Sequence, residues 1–287
     1  MDISKYKIEH NSNFKLSDIE TDQTGKFDSK DEAERQLAQN VQRMEELQSK
    51  LYAQDKYALL IIFQAMDTAG KDGAIKHVMS GLNPQGTHVH SFKQPSAEEL
   101  DHDYLWRAVK NLPERGTIGI FNRSYYEDVL VVRVHDLVKT QQIPKEFITD
   151  DIWKDRFRQI RDFERYLYEN GIITLKFFLH ISKDEQKKRL LERIDDRIKN
   201  WKFSTADIHE REYWNDYQRC YQETIAETST KQAPWYVIPS DKKWFARLMV
   251  SEVIVKTLEL LRLEYPFVSK EQEKILNECR QNLLNEE

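Results

Sequence analysis

Short apolar runs alternate along the chain with longer segments of helical periodicity. Apolar runs typical of buried strands lie at residues 57–63, 117–121, 173–180 and 235–239, and residues 87–92 alternate like a half-buried strand. Strands separated by helical segments are usually joined by right-handed crossovers, which favours a mainly parallel sheet. The pattern therefore predicts an α/β fold with helices on both faces of the sheet.

Helical periodicity is clearest at residues 30–51. The apolar positions that share one face of this predicted helix are Leu37, Val41, Met44, Leu47 and Leu51. Further helical segments are predicted at residues 96–111, 145–170, 207–228 and 242–263. The polar residues 1–28 are predicted to form a surface arm. We therefore expect one domain over residues 29–265, followed by a helical tail over residues 266–287.

The loop after residues 57–63 has the chemistry of a phosphate cradle. Gly70 and Gly73 flank Lys71, and a helix is predicted to begin beside them. Backbone N–H groups at the start of a helix point at a bound anion, and a lysine adds positive charge. Asp67 would repel phosphate unless a cation lay between them, so it indicates a metal ligand. The predicted phosphate-binding residues of the loop are Ala69, Gly70, Asp72 and Gly73.

This loop departs from the usual spacing G-x-x-x-x-G-K-[ST] at two positions. Ala65 stands where the first glycine is expected, and Asp72 stands where Ser or Thr normally contacts magnesium. A second polar turn, at Asn122 and Arg123, directly follows the apolar run at 117–121. Ligands bind outside the carboxyl ends of parallel strands, so we expect the loop and the turn to face one site.

The composition restricts the kinds of partner and compartment. Charged residues make up 32% of the 287 residues, with a formal net charge of -5, whereas nucleic-acid-binding proteins are usually basic. No apolar run reaches the ~18 residues of a membrane span, and the first residues lack a signal-peptide core. The only cysteines, Cys220 and Cys279, need no disulfide. We expect a cytoplasmic protein without nucleic-acid or membrane partners.

Five separated motifs occur in order along most of the chain. They are AMDTAGKDG, LNPQG, SFKQPS, GTIGIFNRSYYEDVLVVRVH, and RLLERIDD with KNWKFSTAD. Together, over about residues 30–265, they resemble the polyphosphate kinase 2 family. The resemblance implies a P-loop kinase fold with a helical lid at about residues 183–215. It also implies reversible, Mg2+-dependent phosphoryl transfer between inorganic polyphosphate and nucleotides, converting AMP or ADP to ADP or ATP.

The form FNRS-x-YEDVL resembles the branch of this family that accepts both nucleoside mono- and diphosphates. This similarity predicts activity with AMP as well as with ADP. We also expect a homo-oligomer, either a dimer or a tetramer.

Three residues are predicted to be catalytic. Lys71 and the loop amides would hold the transferred phosphoryl group or the end of the polyphosphate, and Arg123 offers a planar fork for phosphate oxygens. Asp67 is the predicted magnesium ligand. Many relatives have Asp where this chain has Asn122, so Asp128 is the predicted second acid, either at the metal or on the acceptor side.

The remaining site residues are assigned to the two substrates. The predicted nucleotide-binding residues are Asn122, Asp128, Arg133 and Lys93. Residues 183–202 carry eight Lys or Arg against five Asp or Glu, which suits a polyanion. The resemblance assigns four of these cations to polyphosphate: Arg189, Arg193, Lys199 and Lys202. Relatives often have proline in place of Arg197, so the lid helix is predicted to extend further here.

Three alternatives are compatible with the residues. A solvated helix with internal ion pairs would explain the charges of the lid. An ATP-dependent nucleotide or small-molecule kinase of the P-loop type would keep the loop but use another phosphoryl donor. A nucleotide-binding protein without activity would keep the fold. Asp67 and the basic lid favour polyphosphate as the donor, and the retention of Lys71 and Arg123 favours an active enzyme.

Overall fold

The computed structural model describes residues 2–10, 13–25, 27 and 29–286. In chain order the strands are β1 Lys7–Ile8, β2 Ala58–Ala65, β3 Thr87–Ser91, β4 Ile118–Asn122, β5 Ile172–His180 and β6 Trp235–Pro239. The helices are α1 Lys30–Gln54, α2 Lys71–Val78, α3 Ala97–Leu100, α4 Trp106–Val109, α5 Val131–Val134, α6 Ile152–Glu169, α7 Lys183–Asp195, α8 Thr205–Glu210, α9 Trp214–Thr228, α10 Lys243–Leu260 and α11 Lys270–Leu284. Within the described ranges, no helix is long and apolar enough to cross a membrane.

The strands form one sheet in the order β1-β6-β5-β2-β4-β3. Strands β2 to β6 pair in parallel, and β1 pairs antiparallel with β6. All eight residues of β2 are buried. A strand that is covered on both faces has a continuous apolar sequence, and for that reason β2 could be predicted from the sequence. The predicted α/β fold with a mainly parallel sheet is confirmed.

Two groups of helices cover the sheet. Helix α10 packs against both α1 and α2, and α6 packs against β5 and α9. Helix α1 begins after Ser29, whose hydroxyl accepts a hydrogen bond from the N–H of Glu32. Its buried residues include Met44, Leu47 and Leu51, which confirms the apolar face predicted for it.

The predicted single helix at residues 96–111 is wrong. The segment forms α3 and α4 with a turn between them. The carboxylate of Asp103 accepts a hydrogen bond from the N–H of Leu105, a local bond that competes with helical pairing. The predicted helix at 207–228 is interrupted in the same way, because a short 3-10 turn at Arg211–Tyr213 separates α8 from α9.

The N-terminal segment contributes to the core as well as to the surface. It supplies β1, and its buried side chains are Tyr6, Ile8, Leu16, Ile19 and Phe27. These apolar residues are irregularly spaced, so they offered no period from which burial could be predicted. Residues 1, 11, 12, 26 and 28 of the predicted arm, and residue 287 of the predicted tail, lie outside the described residues. The domain boundaries stay a prediction.

The lid helix α7 ends before Arg197, so the prediction that it extends further is wrong. Asp196 follows the helix with extended backbone, at ψ 107°. The side-chain amide of Asn200 donates to the carbonyls of Arg193 and Ile194. Carbonyls at the end of a helix have no partner within it, and these two bonds supply one.

A buried ion pair joins the sheet to the turn after β4. Lys176 of β5 donates to the carboxylate of Glu164 on α6 and to the hydroxyl of Tyr126. Glu164 also accepts from the hydroxyls of Tyr125 and Tyr126. Burial lowers the pKa of Lys176. Because the two tyrosines follow Arg123 closely in the chain, this network fixes the turn that carries the predicted catalytic arginine.

We expect Lys176→Met to lower the free energy of unfolding by about 3–5 kcal/mol, because Glu164 would be left as a buried charge without its partner. Urea denaturation measures this difference. Lys154→Met is the control, since it removes the same charge from an exposed pair with Asp151 and should change stability little. Similar losses in both variants would show that the buried pair has no special role in stability.

Candidate active site

The loop between β2 and α2 turns sharply after Asp67. Thr68 and Gly70 have positive φ, at 62° and 110°. Glycine adopts this backbone conformation without the steric cost that a side chain would add at position 70. The N–H of Ala74 donates to the carbonyl of Gly70, which begins α2. The first N–H groups of the helix therefore lie beside the loop, with no acceptor inside the helix itself.

Lys71 begins α2 and reaches back toward the end of β2. Its Nζ donates to the carbonyl of Ala65 at 2.9 Å. Burial lowers the pKa of Lys71, and the charge of Arg123 lowers it further, although Asp67 acts in the opposite direction. The amine thus lies in surroundings that do not fully compensate its positive charge. A phosphate group bound beside it would supply the missing negative charge.

Arg123 follows β4 in the left-handed region of the backbone, at φ 62°. This conformation is uncommon for residues other than glycine and is found preferentially at functional sites. The N–H of Arg123 donates to the carbonyl of Phe63 in β2, which holds the turn beside the loop. Its Nη2 lies 3.2 Å from Oδ1 of Asp67, and its Nη1 lies 3.9 Å from Glu127. With 42% of its side chain exposed, Arg123 remains accessible to a ligand.

Asn122 connects the end of β4 to the first turn of α2. Its side-chain amide donates to Oδ1 of Asp72 at 2.8 Å. Asp72 is one of the positions at which the loop departs from the usual spacing. The bond shows that these two residues act as a local pair, which brings the loop and the turn together as predicted.

The loop and the turn line one cavity of about 660 Å³. The predicted site residues in its wall are Asp67, Ala69, Gly70, Lys71, Asp72, Gly73, Lys93, Asn122, Arg123, Arg189, Arg193 and Lys199. The wall carries eight Lys or Arg side chains against three Asp or Glu. A chain with a negative net charge therefore has a positively charged cavity at the carboxyl ends of its central strands.

Arg189 lies on the lid helix α7, but its guanidinium is buried behind the loop. Its acceptors, at 2.7–3.0 Å, are the Glu185 carboxylate and the backbone carbonyls of Thr68, Ala69, Ser240 and Asp241. These five bonds use all five N–H donors of the guanidinium. Arg189 thus joins the loop to the end of β6, and it has no donor left for the polyphosphate to which the resemblance assigned it.

The other lid cations make fewer contacts. Nη1 of Arg193 lies 3.2 Å from Oδ2 of Asp207, and Lys199 forms an exposed ion pair with Asp196. The side chain of Lys202 lies outside the described part of the structure. The assignment of Arg193, Lys199 and Lys202 to polyphosphate stays a prediction.

Asp128 lies in a different place from the other predicted acid. Its Oδ1 accepts hydrogen bonds from Gln141 at 2.7 Å and from Nη1 of Arg156 at 3.1 Å. Burial raises its pKa, whereas Arg156 acts to lower it. Asp128 lines a second cavity, of about 590 Å³, and it is absent from the wall of the first. The structure therefore does not place Asp128 beside Asp67 as a shared metal site.

Arg133, a predicted nucleotide-binding residue, also lies outside the wall of the first cavity. Its Nη2 lies 2.8 Å from the carboxylate of Glu223 on α9, and its guanidinium lies over the ring of Trp153. These contacts are those of a packed ion pair between helices. The nucleotide-binding role of Arg133 stays a prediction.

Two cations of the first cavity, Lys243 and Arg247, were not predicted from the sequence. They lie one turn apart in α10, which begins shortly after the carboxyl end of β6. The same rule that directed attention to the ends of β2 and β4 applies to β6. The rule could therefore have predicted site residues after β6, but no glycine or motif in that part of the sequence indicated them.

Comparison with known proteins gives one consistent family. A model of the family "Polyphosphate kinase 2" matches residues 27–265. The ADP-polyphosphate phosphotransferase of Rhodopseudomonas palustris is 52% identical, over 90% of this chain and 90% of that protein. The AMP/ADP-polyphosphate phosphotransferase of Meiothermus ruber is 46% identical, over 96% of this chain and 100% of that protein.

A solved structure gives the same result. The crystal structure of polyphosphate kinase 2 from Arthrobacter aurescens matches with a TM-score of 0.86 and 40% identity, over 96% of this chain and 95% of that chain. The predicted P-loop kinase type of α/β fold is thereby confirmed.

Arg189→Lys should loosen the loop although it keeps the charge, because a lysine has three donors and no planar fork. We expect the loop amides 68–73 to exchange hydrogen about tenfold faster, equivalent to ~1.4 kcal/mol. Mass spectrometry of loop peptides measures the rate. Arg193→Lys, which alters a guanidinium in contact with Asp207, is the control and should leave loop exchange unchanged. Unaltered exchange in Arg189→Lys would mean that other contacts hold the loop.

Proposed function

Because the chain belongs to the polyphosphate kinase 2 family, we propose that it transfers phosphoryl groups reversibly between inorganic polyphosphate and AMP or ADP. The main structural support is the grouping of Asp67, Lys71 and Arg123 in one cavity whose wall is strongly cationic. The names of two similar proteins, an ADP- and an AMP/ADP-polyphosphate phosphotransferase, support these acceptors.

Phosphoryl transfer requires little covalent chemistry from a protein. An oxygen of the nucleotide's terminal phosphate forms a bond to the last phosphorus of the polyphosphate, and the bond from that phosphorus to its bridging oxygen breaks. The shortened chain leaves with the electron pair of that bond. Catalysis then depends on aligning the two phosphates and on compensating their negative charge.

The residues of the first cavity can supply both contributions. Lys71 lies at the start of α2, where backbone N–H groups and its positive charge could together bind one anion. Arg123 approaches from the neighbouring strand, and its guanidinium can bind two phosphate oxygens at once. The transferred phosphoryl group would lie between Lys71 and Arg123, and both cations would stabilise its charge during transfer.

Magnesium fits this site if phosphate oxygens complete its ligands. No cluster of three or more His, Cys, Asp or Glu that could hold a metal occurs among the described residues. Mg2+ is commonly held by one or two carboxylates together with substrate phosphates and water. The carboxylate of Asp67, partly exposed and at the edge of the loop, would be that ligand. When bound, the ion would neutralise phosphate charge.

The second cavity is the proposed site of the acceptor nucleoside. Lys93 lines the first cavity and Pro95 the second, so the two cavities share one short segment. The ring of Tyr104 and the polar groups of Asp128 and Gln141 line the second cavity, and both kinds of surface suit a nucleoside. This position supports a role for Asp128 on the acceptor side, the alternative to a metal ligand.

The cellular location and the oligomeric state are proposed from the sequence. Both cysteines are free thiols, as a reducing cytoplasm would keep them. The cytoplasmic location and the homo-oligomeric state stay predictions.

The activity is tested by incubating the pure protein with Mg2+, long-chain polyphosphate and either ADP or AMP. We expect ATP from ADP, and ADP followed by ATP from AMP, with no product when polyphosphate is omitted. Formation of ATP from ADP, without any product from AMP, would contradict the part of the proposal that concerns AMP and leave the rest unchanged. A requirement for ATP as the donor, with no use of polyphosphate, would contradict the proposed function.

Lys71→Ala and Arg123→Ala should each lower kcat/KM by about 10²-fold or more, because each removes charge that stabilises the transferred phosphoryl group. Asp67→Asn should lower it similarly, and added Mg2+ should partly restore it if Asp67 holds the metal. Lys76→Ala is a control on the same helix, since Lys76 is exposed and absent from the cavity wall. Near-normal turnover in Lys71→Ala or Arg123→Ala would remove that residue from the proposed mechanism.

A further inference from the structure

Helix α10 forms one wall of the first cavity and presents two cations to it, Lys243 and Arg247. Among the described residues, neither side chain has a carboxylate within ion-pair distance or a hydrogen-bond acceptor. The cation Lys71, in comparison, donates to a carbonyl, and Arg123, Arg193 and Lys199 each face a carboxylate. Among the described residues, Lys93 is a further cation of this wall without such a partner, and Lys243 and Arg247 are the two that lie together on one helix.

The surroundings of Lys243 and Arg247 disfavour an unpaired positive charge on these side chains. Burial lowers the pKa of Lys243, as does the charge of Arg189, whereas the carboxylates of Glu192 and Glu185 act to raise it. The pKa of Arg247 is also lowered by burial and by the charge of Arg189, although the carboxylate of Glu34 acts to raise it. Arg247 is half-buried, and partly buried charges are usually paired, so its missing partner indicates a binding site. Lys243 is exposed and lies one turn away on the same helix. A bound anion would satisfy both side chains.

The two cations lie beside the phosphate loop. A Cβ atom added to Gly73 would lie 3.4 Å from Nη2 of Arg247, so the guanidinium reaches the first turn of α2. Lys71 lies in that same turn. Cations therefore continue from the position proposed for the transferred phosphoryl group, past Gly73, to the wall formed by α10.

The chemistry of this wall suits a phosphate chain better than a nucleobase. Beside this wall, the apolar residues of the cavity are Leu179 of β5, which pairs with β6, and Ala246 of α10. Neither offers an aromatic face. The aromatic side chain of the cavity wall, Phe92, follows β3 at the other edge of the sheet, and it is buried. A base gains most of its binding energy from stacking, whereas a chain of phosphates needs only repeated positive charge.

We propose that Lys243 and Arg247 form a subsite for the phosphates of the polyphosphate chain that lie beyond the one transferred. This proposal rests on the proposed function and specifies its donor. A long chain would reach the subsite while its end lies at Lys71, whereas inorganic triphosphate would be too short to gain from it. The two residues would thus set a preference for long chains without taking part in the transfer itself.

The test compares two donors, long-chain polyphosphate and inorganic triphosphate, with ADP saturating and Mg2+ present. In the double variant Lys243→Gln and Arg247→Gln, we expect the KM for long-chain polyphosphate to rise about tenfold, the loss of ~1.4 kcal/mol of binding. The KM for triphosphate and both kcat values should stay within about twofold. The salt dependence of the long-chain KM should flatten by a slope of about 0.7 for each lost contact, by analogy with single-stranded nucleic acids.

Two further variants keep the test independent of folding and of net charge. Lys243→Gln alone changes an exposed side chain and should show the same selective effect at smaller size. The double variant Lys274→Gln and Arg280→Gln removes one lysine and one arginine from the exposed helix α11, away from the cavity, and should change neither KM.

The outcomes separate this proposal from the proposed function. Absence of ATP synthesis from either donor in the unmodified protein would overturn both. Synthesis in the unmodified protein, with equal losses for the two donors in the variant, would overturn the subsite alone, because the pair would then serve the transferred group. A rise in the KM for ADP instead would assign the pair to the nucleotide, and an unchanged long-chain KM would also overturn the subsite.

Discussion

A buried guanidinium gives the loop between β2 and α2 its shape. Arg189 binds the carbonyls of Thr68 and Ala69 on one side and the carbonyls of Ser240 and Asp241 on the other. In a trans peptide the C=O and N–H point in opposite directions, so turning the Ala69 carbonyl toward Arg189 turns the next N–H away from it. One side chain thus joins the lid helix, the loop and the end of β6. The positions of the other charged groups depend on this connection.

The site combines fixed geometry with incomplete charge compensation. Arg123 is held in an unusual backbone conformation by its bond to Phe63 and by the tyrosines bound to Glu164 and Lys176. The charges of the cavity wall are nevertheless predominantly positive, in a chain whose net charge is -5. A polyanionic substrate would compensate the remaining positive charge of the cavity wall, and this electrostatic attraction would favour its binding.

Much of this arrangement could be predicted from the sequence. The buried run of β2, the loop at Asp67 and Lys71, and the turn at Arg123 are local patterns, and a parallel sheet brings their ends together. Individual roles were harder to predict where they depend on tertiary contacts. Arg189 has helical spacing with Arg193, but its side chain turns inward to backbone carbonyls that no sequence pattern identifies. Asp128 follows Arg123 closely, yet its partner Arg156 belongs to a different helix and holds it in another cavity.

The position of the phosphate chain is the most direct test of this account. A crystal structure with AMP and a methylene-bridged polyphosphate, which cannot be cleaved, would reveal both substrates before transfer. We expect the last phosphorus of the chain between Lys71 and Arg123, the rest of the chain along the first cavity, and the nucleoside in the second cavity beside Tyr104. A nucleoside bound in the first cavity, with the polyphosphate elsewhere, would contradict the account.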